Sequence, residues 1–172
     1  MLSLPKQLAL VLAALFFMAS TALAAPVAGD MAPDIFGKNL KGESPKLADF
    51  QGKVVVLTFW ATWCPYCLKE LPILEGIQRA GKTNVQVVAV NRESRDVFRA
   101  VERHLNTLTM LLTYDPGNEG AKAYGVSGIP HLVIIGRDGK IVSVHRGYGE
   151  SSLPEILDAI NLAIATPAPD EH

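Results

Sequence analysis

The sequence lacks an excess of charge of either sign, since its 16 lysines and arginines stand against 17 acidic residues. This balance argues against nucleic-acid binding, which requires clustered positive charge. Cysteine is scarce as well, and two cysteines cannot form a cysteine-only zinc site or a framework of several disulfides. Repeats and low-complexity segments are lacking too, and the mixed composition excludes collagen-like, coiled-coil and disordered chains. What is present is a 172-residue chain with 49% hydrophobic residues, long enough for one domain with a substantial core.

The N-terminus carries an apolar segment that differs from the rest of the chain. Lys6 precedes an uncharged apolar run over residues 8–18, and Ala22-Leu23-Ala24-Ala25-Pro26 closes the segment. This order of basic start, apolar middle and Ala-x-Ala site predicts a signal peptide over residues 1–24, cleaved after Ala24. An uncleaved membrane anchor is the alternative, although the run is shorter than the roughly 20 residues that span a bilayer. Export predicts a periplasmic or extracellular location, where disulfides persist.

Strand and helix patterns alternate along residues 30–165. The first strand pattern is a continuous apolar, β-branched run, which suits a strand that is buried on both faces. Asp138-Gly139 predicts a hairpin turn between the last two strands. The predicted strands cover residues 54–59, 85–90, 110–113, 132–135 and 141–145.

Helix signals separate these strands. Helical patterning runs from Pro65 to about residue 80 and includes Pro72, which predicts a kink. Ser94 has the position of an N-cap for the second helix, and Ser152-Leu153-Pro154-Glu155 has the spacing of a capping box for the last helix. The alternation predicts an α/β domain with a central mixed sheet flanked by helices, followed by a loose tail at residues 166–172.

Two cysteines lie where the first predicted strand passes into the first predicted helix, in Trp63-Cys64-Pro65-Tyr66-Cys67. Cysteines at positions i and i+3 share a helix face and can form or open a disulfide with little backbone movement. Cys64 would have a lowered thiol pKa, because the free N–H groups and the dipole of a helix N-terminus favour the thiolate. Cys67, one turn further, suits the resolving role. Taken alone the pair could also be a structural disulfide, but its place between strand and helix favours a catalytic one.

The motif Phe59-Trp60-Ala61-Thr62-Trp63-Cys64-Pro65-Tyr66-Cys67 resembles the active-site signature of the thioredoxin superfamily. The following Lys69-Glu70-Leu71-Pro72 is similar to the exported thiol–disulfide oxidoreductases of the TlpA/ResA type. The resemblance covers about residues 30–165 and implies a thioredoxin-like fold with an N-terminal β extension and a strand/helix insertion. Its other matching motifs are Ala32-Pro33-Asp34, Gly52-Lys53, Tyr124-Gly125-Val126-Ser127-Gly128-Ile129-Pro130 and Asp138-Gly139-Lys140.

The resemblance also implies roles for individual residues. Cys64 matches the nucleophilic cysteine and Cys67 the resolving cysteine. Pro130 matches the cis-proline that faces the cysteine pair and helps to dock an extended substrate strand. The residues expected to bind substrate are Trp63, Pro65, Tyr66, Ile129 and Pro130.

Glu70 lies three residues after Cys67 and can reach that thiol from the same helix face. The resemblance suggests a catalytic carboxylate that accepts the Cys67 proton during disulfide exchange. Alternatively, Glu70 is a solvated helix acid that pairs with Lys69 or Arg79. Thioredoxins proper carry a buried aspartate where this chain has Thr58, and the absence of that proton carrier gives more weight to Glu70 or to water.

These residues predict an enzyme, a thiol–disulfide oxidoreductase whose redox group is the Cys64–Cys67 disulfide, with no other cofactor and no metal. Export and the resemblance together favour a reductase of exported disulfide proteins, such as apocytochrome c, that receives electrons from a membrane thiol donor. The protein is expected to be a monomer. The Pro65-Tyr66 dipeptide is that of glutaredoxins and leaves the redox potential open, so a disulfide oxidase or isomerase is one alternative.

A copper-binding chaperone is another alternative, in which Cys64 and Cys67 supply soft sulfur ligands and His131 completes the metal site. Otherwise His131 is expected to be a strand histidine that is hydrogen-bonded to backbone.

Overall fold

The computed structural model describes residues 24–168. The predicted signal peptide lies outside the described residues except for Ala24, and so do residues 169–172 of the predicted tail. Residues 166–168 follow the last helix without forming helix or strand. Within the described range, no helix combines the length and the apolar character that a membrane crossing requires.

Across residues 24–168 five strands form one mixed sheet in the order β3-β2-β1-β4-β5. The central strand β1 is parallel to β2 and antiparallel to β4, while β3 and β5 form the edges. Each strand agrees with its predicted range to within one residue at either end, so the predicted mixed sheet is confirmed. The strands are β1 Val54–Trp60, β2 Val85–Asn91, β3 Leu111–Tyr114, β4 His131–Ile135 and β5 Ile141–Arg146.

Four α-helices flank the sheet in the described part of the chain: α1 Pro65–Gly81, α2 Arg95–Glu102, α3 Glu119–Ala123 and α4 Leu153–Ala165. Ser94 caps α2 as predicted, because its hydroxyl accepts the Val97 N–H. The predicted capping box at Ser152 is wrong. A 3₁₀ turn, Glu150–Ser152, runs directly into α4, so Ser152 already has helical backbone angles and its hydroxyl donates to the Gly149 carbonyl.

The segment before β1 joins the sheet at two isolated points. Met31 forms an antiparallel bridge with Lys140, and Lys38 forms one with Tyr114 in the edge strand β3. The predicted N-terminal β extension therefore takes the form of single bridges, followed by the 3₁₀ helix Leu47–Phe50. The predicted strand/helix insertion corresponds to β3 and α3, which lie between α2 and β4.

β1 is buried along its whole length and divides the core into two clusters. Its even-numbered apolar residues pack with α1 and α4, whereas its odd-numbered residues pack in the cluster on the opposite face. Because side chains alternate along a strand, Thr58 faces α1. The same alternation in β4 places Leu132 on the α1 side and His131 on the opposite side.

Candidate active site

The cysteine pair lies at the junction of β1 and α1. Cys64 is the N-cap of α1 and forms a disulfide with Cys67, one turn into the helix. The Cys67 backbone N–H points to the Cys64 sulfur at 3.2 Å, and Pro65 occupies the first turn, where no N–H is needed. The Cys67 backbone N–H and the positive end of the helix dipole therefore both lie at the Cys64 sulfur. This setting stabilises a thiolate.

A cis peptide bond faces this disulfide. The Ile129–Pro130 bond is cis, as the family resemblance implies, and the Ile129 carbonyl oxygen lies 3.8 Å from the Cys64 sulfur. Pro130 itself is buried, and its carbonyl accepts the Gly147 N–H from the end of β5. Ile129 is half-buried, so of the two residues that share the cis peptide bond it is the accessible one beside Cys64.

Exposed side chains border the disulfide on the helix side. Trp63 is 70% exposed and Tyr66 is 58% exposed, and Pro65 between them is exposed as well. Lys69 lies with its ammonium 5.9 Å from the centre of the Tyr66 ring, in the range of a cation–π contact. All five predicted substrate-binding residues thus lie around the cysteine pair. Pro130 is the one among these five that is buried.

Glu70 is a buried residue of α1, only 4% exposed. The Thr58 hydroxyl donates a hydrogen bond of 2.8 Å to its carboxylate. Burial raises the pKa of Glu70 to about 7, although the hydrogen bond from Thr58 acts in the opposite direction. The alternative of a solvated acid paired with Lys69 or Arg79 is wrong, because Arg79 bonds Glu75 and Lys69 lies over Tyr66.

His131 does not join the cysteine pair. It is fully buried on the opposite face of the sheet, with its ring edge-on to Phe59. Neither ring nitrogen has a hydrogen-bond partner among residues 24–168, so the expected bond to backbone is wrong. Burial, together with the positive charges of Arg146 and Arg92, lowers the pKa of His131 to about 4. This position does not fit the copper site in which His131 completes the ligands of Cys64 and Cys67.

Sequence reasoning missed Glu93, which holds the loop before Cys64. Its carboxylate accepts the Thr62 backbone N–H at 2.6 Å and the Thr62 hydroxyl at 2.9 Å. Asn91 donates to the same carboxylate at 3.2 Å. The sequence signal for Glu93 was an acidic residue two positions after the end of β2, since the parallel strands β1 and β2 end side by side at Trp60 and Asn91.

The described residues offer two sulfur atoms, a buried carboxyl group and a cis-proline turn. Among residues 24–168, no group of three or more His, Cys, Asp or Glu side chains is placed to hold a metal ion. The chemistry that this arrangement supports is exchange between the Cys64–Cys67 disulfide and external thiols. A redox-active pair at the N-terminus of the first helix, opposite a cis-proline in this sheet, defines the thioredoxin-fold thiol–disulfide oxidoreductases.

The chain belongs to the Redoxin family, whose sequence model matches residues 27–160. The thiol–disulfide oxidoreductase ResA of Halalkalibacterium halodurans is 34% identical to it over 137 residues, or 77% of each chain. The thioredoxin-like protein YneN of Bacillus subtilis is 36% identical over 121 residues, which cover 69% of this chain and 71% of that protein. These relatives confirm the resemblance to the ResA type.

Solved structures share the fold. A Chlorobium tepidum protein assigned as a thiol:disulfide interchange protein DsbE matches with a TM-score of 0.73 and 30% identity, over 82% of this chain and 100% of that chain. A Bacteroides thetaiotaomicron protein assigned as a protein disulfide isomerase matches with a TM-score of 0.69 and 32% identity, over 82% of this chain and 95% of that one. The predicted thioredoxin-like fold is confirmed.

Proposed function

We propose that this protein reduces disulfides in exported proteins, in the periplasm, by dithiol–disulfide exchange. The observation that carries the proposal is the position of Cys64, which is the N-cap of α1 and lies 3.8 Å from the Ile129 carbonyl. Its sulfur therefore lies between a helix terminus that favours the thiolate and a turn that is open to a substrate segment.

Substrate docking follows from the surroundings of that sulfur. An extended substrate segment lies along Ile129 and the cis Pro130, which brings its disulfide to Cys64. The exposed surfaces of Trp63 and Tyr66 supply apolar contacts on the other side. Because these contacts are few and apolar, they suit unfolded or flexible polypeptides with different sequences around the disulfide.

The reaction consists of two exchanges at sulfur. In the reduced enzyme, the Cys64 thiolate attacks one sulfur of the substrate disulfide; that bond breaks, a mixed disulfide forms and one substrate thiolate leaves. The Cys67 thiolate then attacks the Cys64 sulfur, which breaks the mixed disulfide and releases the second substrate thiolate. Two electrons pass to the substrate, its two sulfurs take up two protons, and the enzyme is left with the Cys64–Cys67 disulfide of the present structure.

Glu70 is proposed to act as the general base of the second exchange. Cys67 must lose its proton to attack, and Glu70 lies three residues further along the same helix face. A carboxyl group with a pKa of about 7 is partly ionised at neutral pH, so it can both accept this proton and release it.

The proposed partners follow from the family. A relative named as a thiol–disulfide oxidoreductase and a structural neighbour assigned as a thiol:disulfide interchange protein support thiol-containing proteins as substrates. The substrates that we propose within this class are exported disulfide proteins, including the haem-binding cysteines of apocytochrome c. A membrane thiol protein would return the enzyme to its dithiol form, with the enzyme acting as a monomer. The cysteine pair is proposed to be the sole redox group, without a bound cofactor or nucleic acid.

The direction of electron flow is tested by the redox potential of the cysteine pair, equilibrated against glutathione and dithiothreitol buffers. A reductase is expected to have a value close to that of thioredoxin, about −270 mV. A value near that of DsbA, about −120 mV, would contradict the reductase proposal. Such a value would favour the alternative that the protein is a disulfide oxidase or isomerase. One structural neighbour is assigned as a protein disulfide isomerase.

A further inference from the structure

Thr58 is the hydroxyl-bearing residue in a strand that is otherwise apolar, Val-Val-Val-Leu-Thr-Phe-Trp. It lies in the middle of the sheet, opposite Ala89 of β2 and Leu132 of β4, and it is fully buried. Its hydroxyl faces α1 and donates to Glu70 at 2.8 Å. A polar group so deep in the core requires a partner, and here that partner is the Glu70 carboxylate, on the same buried helix face as the resolving cysteine.

The other surroundings of Glu70 do little to stabilise a negative charge. A cavity of only about 10 Å³ adjoins it, with a mainly apolar lining that includes Leu132 of β4 and Ile156 of α4. Among the residues that line this cavity, Tyr148 from the loop before α4 is the other titratable one, and β4 and α4 contribute none to the lining; Cys67, three residues earlier on α1, shares the buried face of the helix with Glu70. Among residues 24–168, Thr58 supplies the one side-chain hydrogen bond to this carboxylate.

We propose that Thr58 is a positioning residue, whose buried donor holds Glu70 beside Cys67 and keeps it able to lose its proton at neutral pH. The inference rests on the proposed role of Glu70 as base. A hydrogen bond to a charged acceptor is stronger than one to a neutral acceptor, so the hydroxyl favours the carboxylate over the carboxylic acid. Without it, desolvation is unopposed and the carboxyl group holds its proton to higher pH.

The test compares Thr58→Val, which keeps the shape and loses the donor, with Thr58→Ser, which keeps the donor. The rate of the second exchange is measured in single turnovers with a substrate peptide, from acidic to alkaline pH. In Thr58→Val the rise of this rate is expected at higher pH, with a loss of about fivefold at pH 7 for a displacement of one pH unit, because Glu70 with a pKa of about 7 is half ionised there in the parent enzyme. Thr58→Ser is expected to restore the position of the rise.

Two outcomes would overturn the inference: a Thr58→Val profile that coincides with that of the parent enzyme, or a Thr58→Ser profile displaced as far as that of Thr58→Val. Valine suits a buried strand, so the variant is expected to fold. Thr58→Ala serves as a second variant without a donor and should show the same displacement. The alkylation rate of Cys64, measured in parallel at one pH, reports whether the site is otherwise intact.

Glu70→Gln separates this inference from the proposed function. If Glu70 is the base, the glutamine variant loses the rise near neutral pH and keeps only the rise at alkaline pH that comes from direct ionisation of the Cys67 thiol. A rise near neutral pH that persists in Glu70→Gln refutes the proposed base and Thr58's role with it. A rise near neutral pH that disappears in Glu70→Gln but does not move in Thr58→Val refutes the role of Thr58 alone.

Discussion

Two glutamates of α1 show how immediate surroundings determine the behaviour of a carboxyl group. Glu70 and Glu75 are both buried, at 4% and 6% exposure. Burial acts to raise both pKa values, but Glu75 accepts hydrogen bonds from Arg79, Thr109 and Met110, which hold its pKa below the usual range. Glu70 has the Thr58 hydroxyl instead, and its pKa rises to about 7. One residue type on one helix therefore serves as a structural anchor at one position and as a candidate base at the other.

This contrast predicts opposite effects of pH on the stability of two glutamine variants. The folded-state pKa of Glu70 is raised, so the folded protein holds an extra proton between about pH 4.5 and 7, and the free energy of unfolding falls as pH rises through this window. Glu70→Gln removes that fall, which corresponds to about 3 kcal/mol. Denaturant unfolding of the oxidised protein, followed across this pH range, measures the slope.

Glu75→Gln is the matched control for this measurement. The folded-state pKa of Glu75 is lowered, so its stabilisation is present at neutral pH and is lost as the pH falls through that lowered pKa. The glutamine variant should therefore be less stable than the parent at neutral pH and converge with it in acid. Equal pH slopes in Glu70→Gln and in the parent protein would contradict the raised pKa of Glu70.

At the scale of elements, the register of two parallel strands fixes the loop that carries the nucleophile. β1 and β2 end side by side at Trp60 and Asn91, so the residues that follow them meet in space. At the ends of these two strands the Glu93 carboxylate accepts hydrogen bonds from the backbone N–H and the hydroxyl of Thr62, two residues before Cys64. Glu75 binds Thr109 and Met110 before β3 in the same way, about 16 Å from Cys64 along the helix.

Glu93→Ala is predicted to impair catalysis more than its effect on stability explains. Loss of the charge-assisted bonds to Thr62 frees the segment that positions Cys64, so the rate constant with a protein disulfide should fall about tenfold, or roughly 1.4 kcal/mol. Stopped-flow measurement of the first exchange gives this constant. Glu75→Ala, which loses equivalent bonds at a remote loop, should be destabilised while its rate constant stays close to the parent value. Similar rate losses in both variants would refute a specific role for Glu93.

The elements themselves could be predicted well where one local pattern sufficed. The continuous β-branched run of β1 and the Asp138-Gly139 turn gave strands close to the observed ones, and the resemblance identified the cis bond at Pro130. The capping box at Ser152 failed because a preceding 3₁₀ turn, which local spacing does not reveal, had already entered the helix. Glu93 was missed because its role depends on the alignment of two strands rather than on its neighbours in sequence.

At the scale of the whole molecule, the central sheet separates the chemistry from the rest of the core. The cysteine pair, Thr58 and Glu70 lie on the face covered by α1 and α4, while His131 is enclosed on the other face. Spacing could place Glu70 on the face of Cys67, but its burial depends on β1 and α4, which meet α1 only in the folded protein. For the same reason the isolation of His131 was not predictable from its position after Pro130.

The full chain offers a test of compartment and substrate together. Cys67→Ala cannot complete the second exchange, so in a Gram-negative host it should accumulate mixed disulfides through Cys64. We expect these adducts in the periplasmic fraction, on a chain that begins at Ala25, with exported cysteine-containing proteins as partners. Mass spectrometry of the trapped species identifies both the partners and the N-terminus. Adducts confined to cytoplasmic proteins would contradict the proposed location, and an intact N-terminus would indicate the membrane-anchored alternative.

The two tryptophans have opposite environments although they are close in sequence. Trp60 is fully buried, whereas Trp63 is 70% exposed and directly precedes Cys64. A neighbouring disulfide quenches indole fluorescence, so opening the Cys64–Cys67 bond should brighten Trp63, and a docked substrate that excludes water should shift its emission to shorter wavelength. Trp60 packs in the same core cluster as Cys64 and Cys67, so its emission is expected to change with the bond as well, whereas its burial keeps it out of the substrate-dependent shift. The protein thus carries its own optical reporter, with which turnover can be followed without a dye.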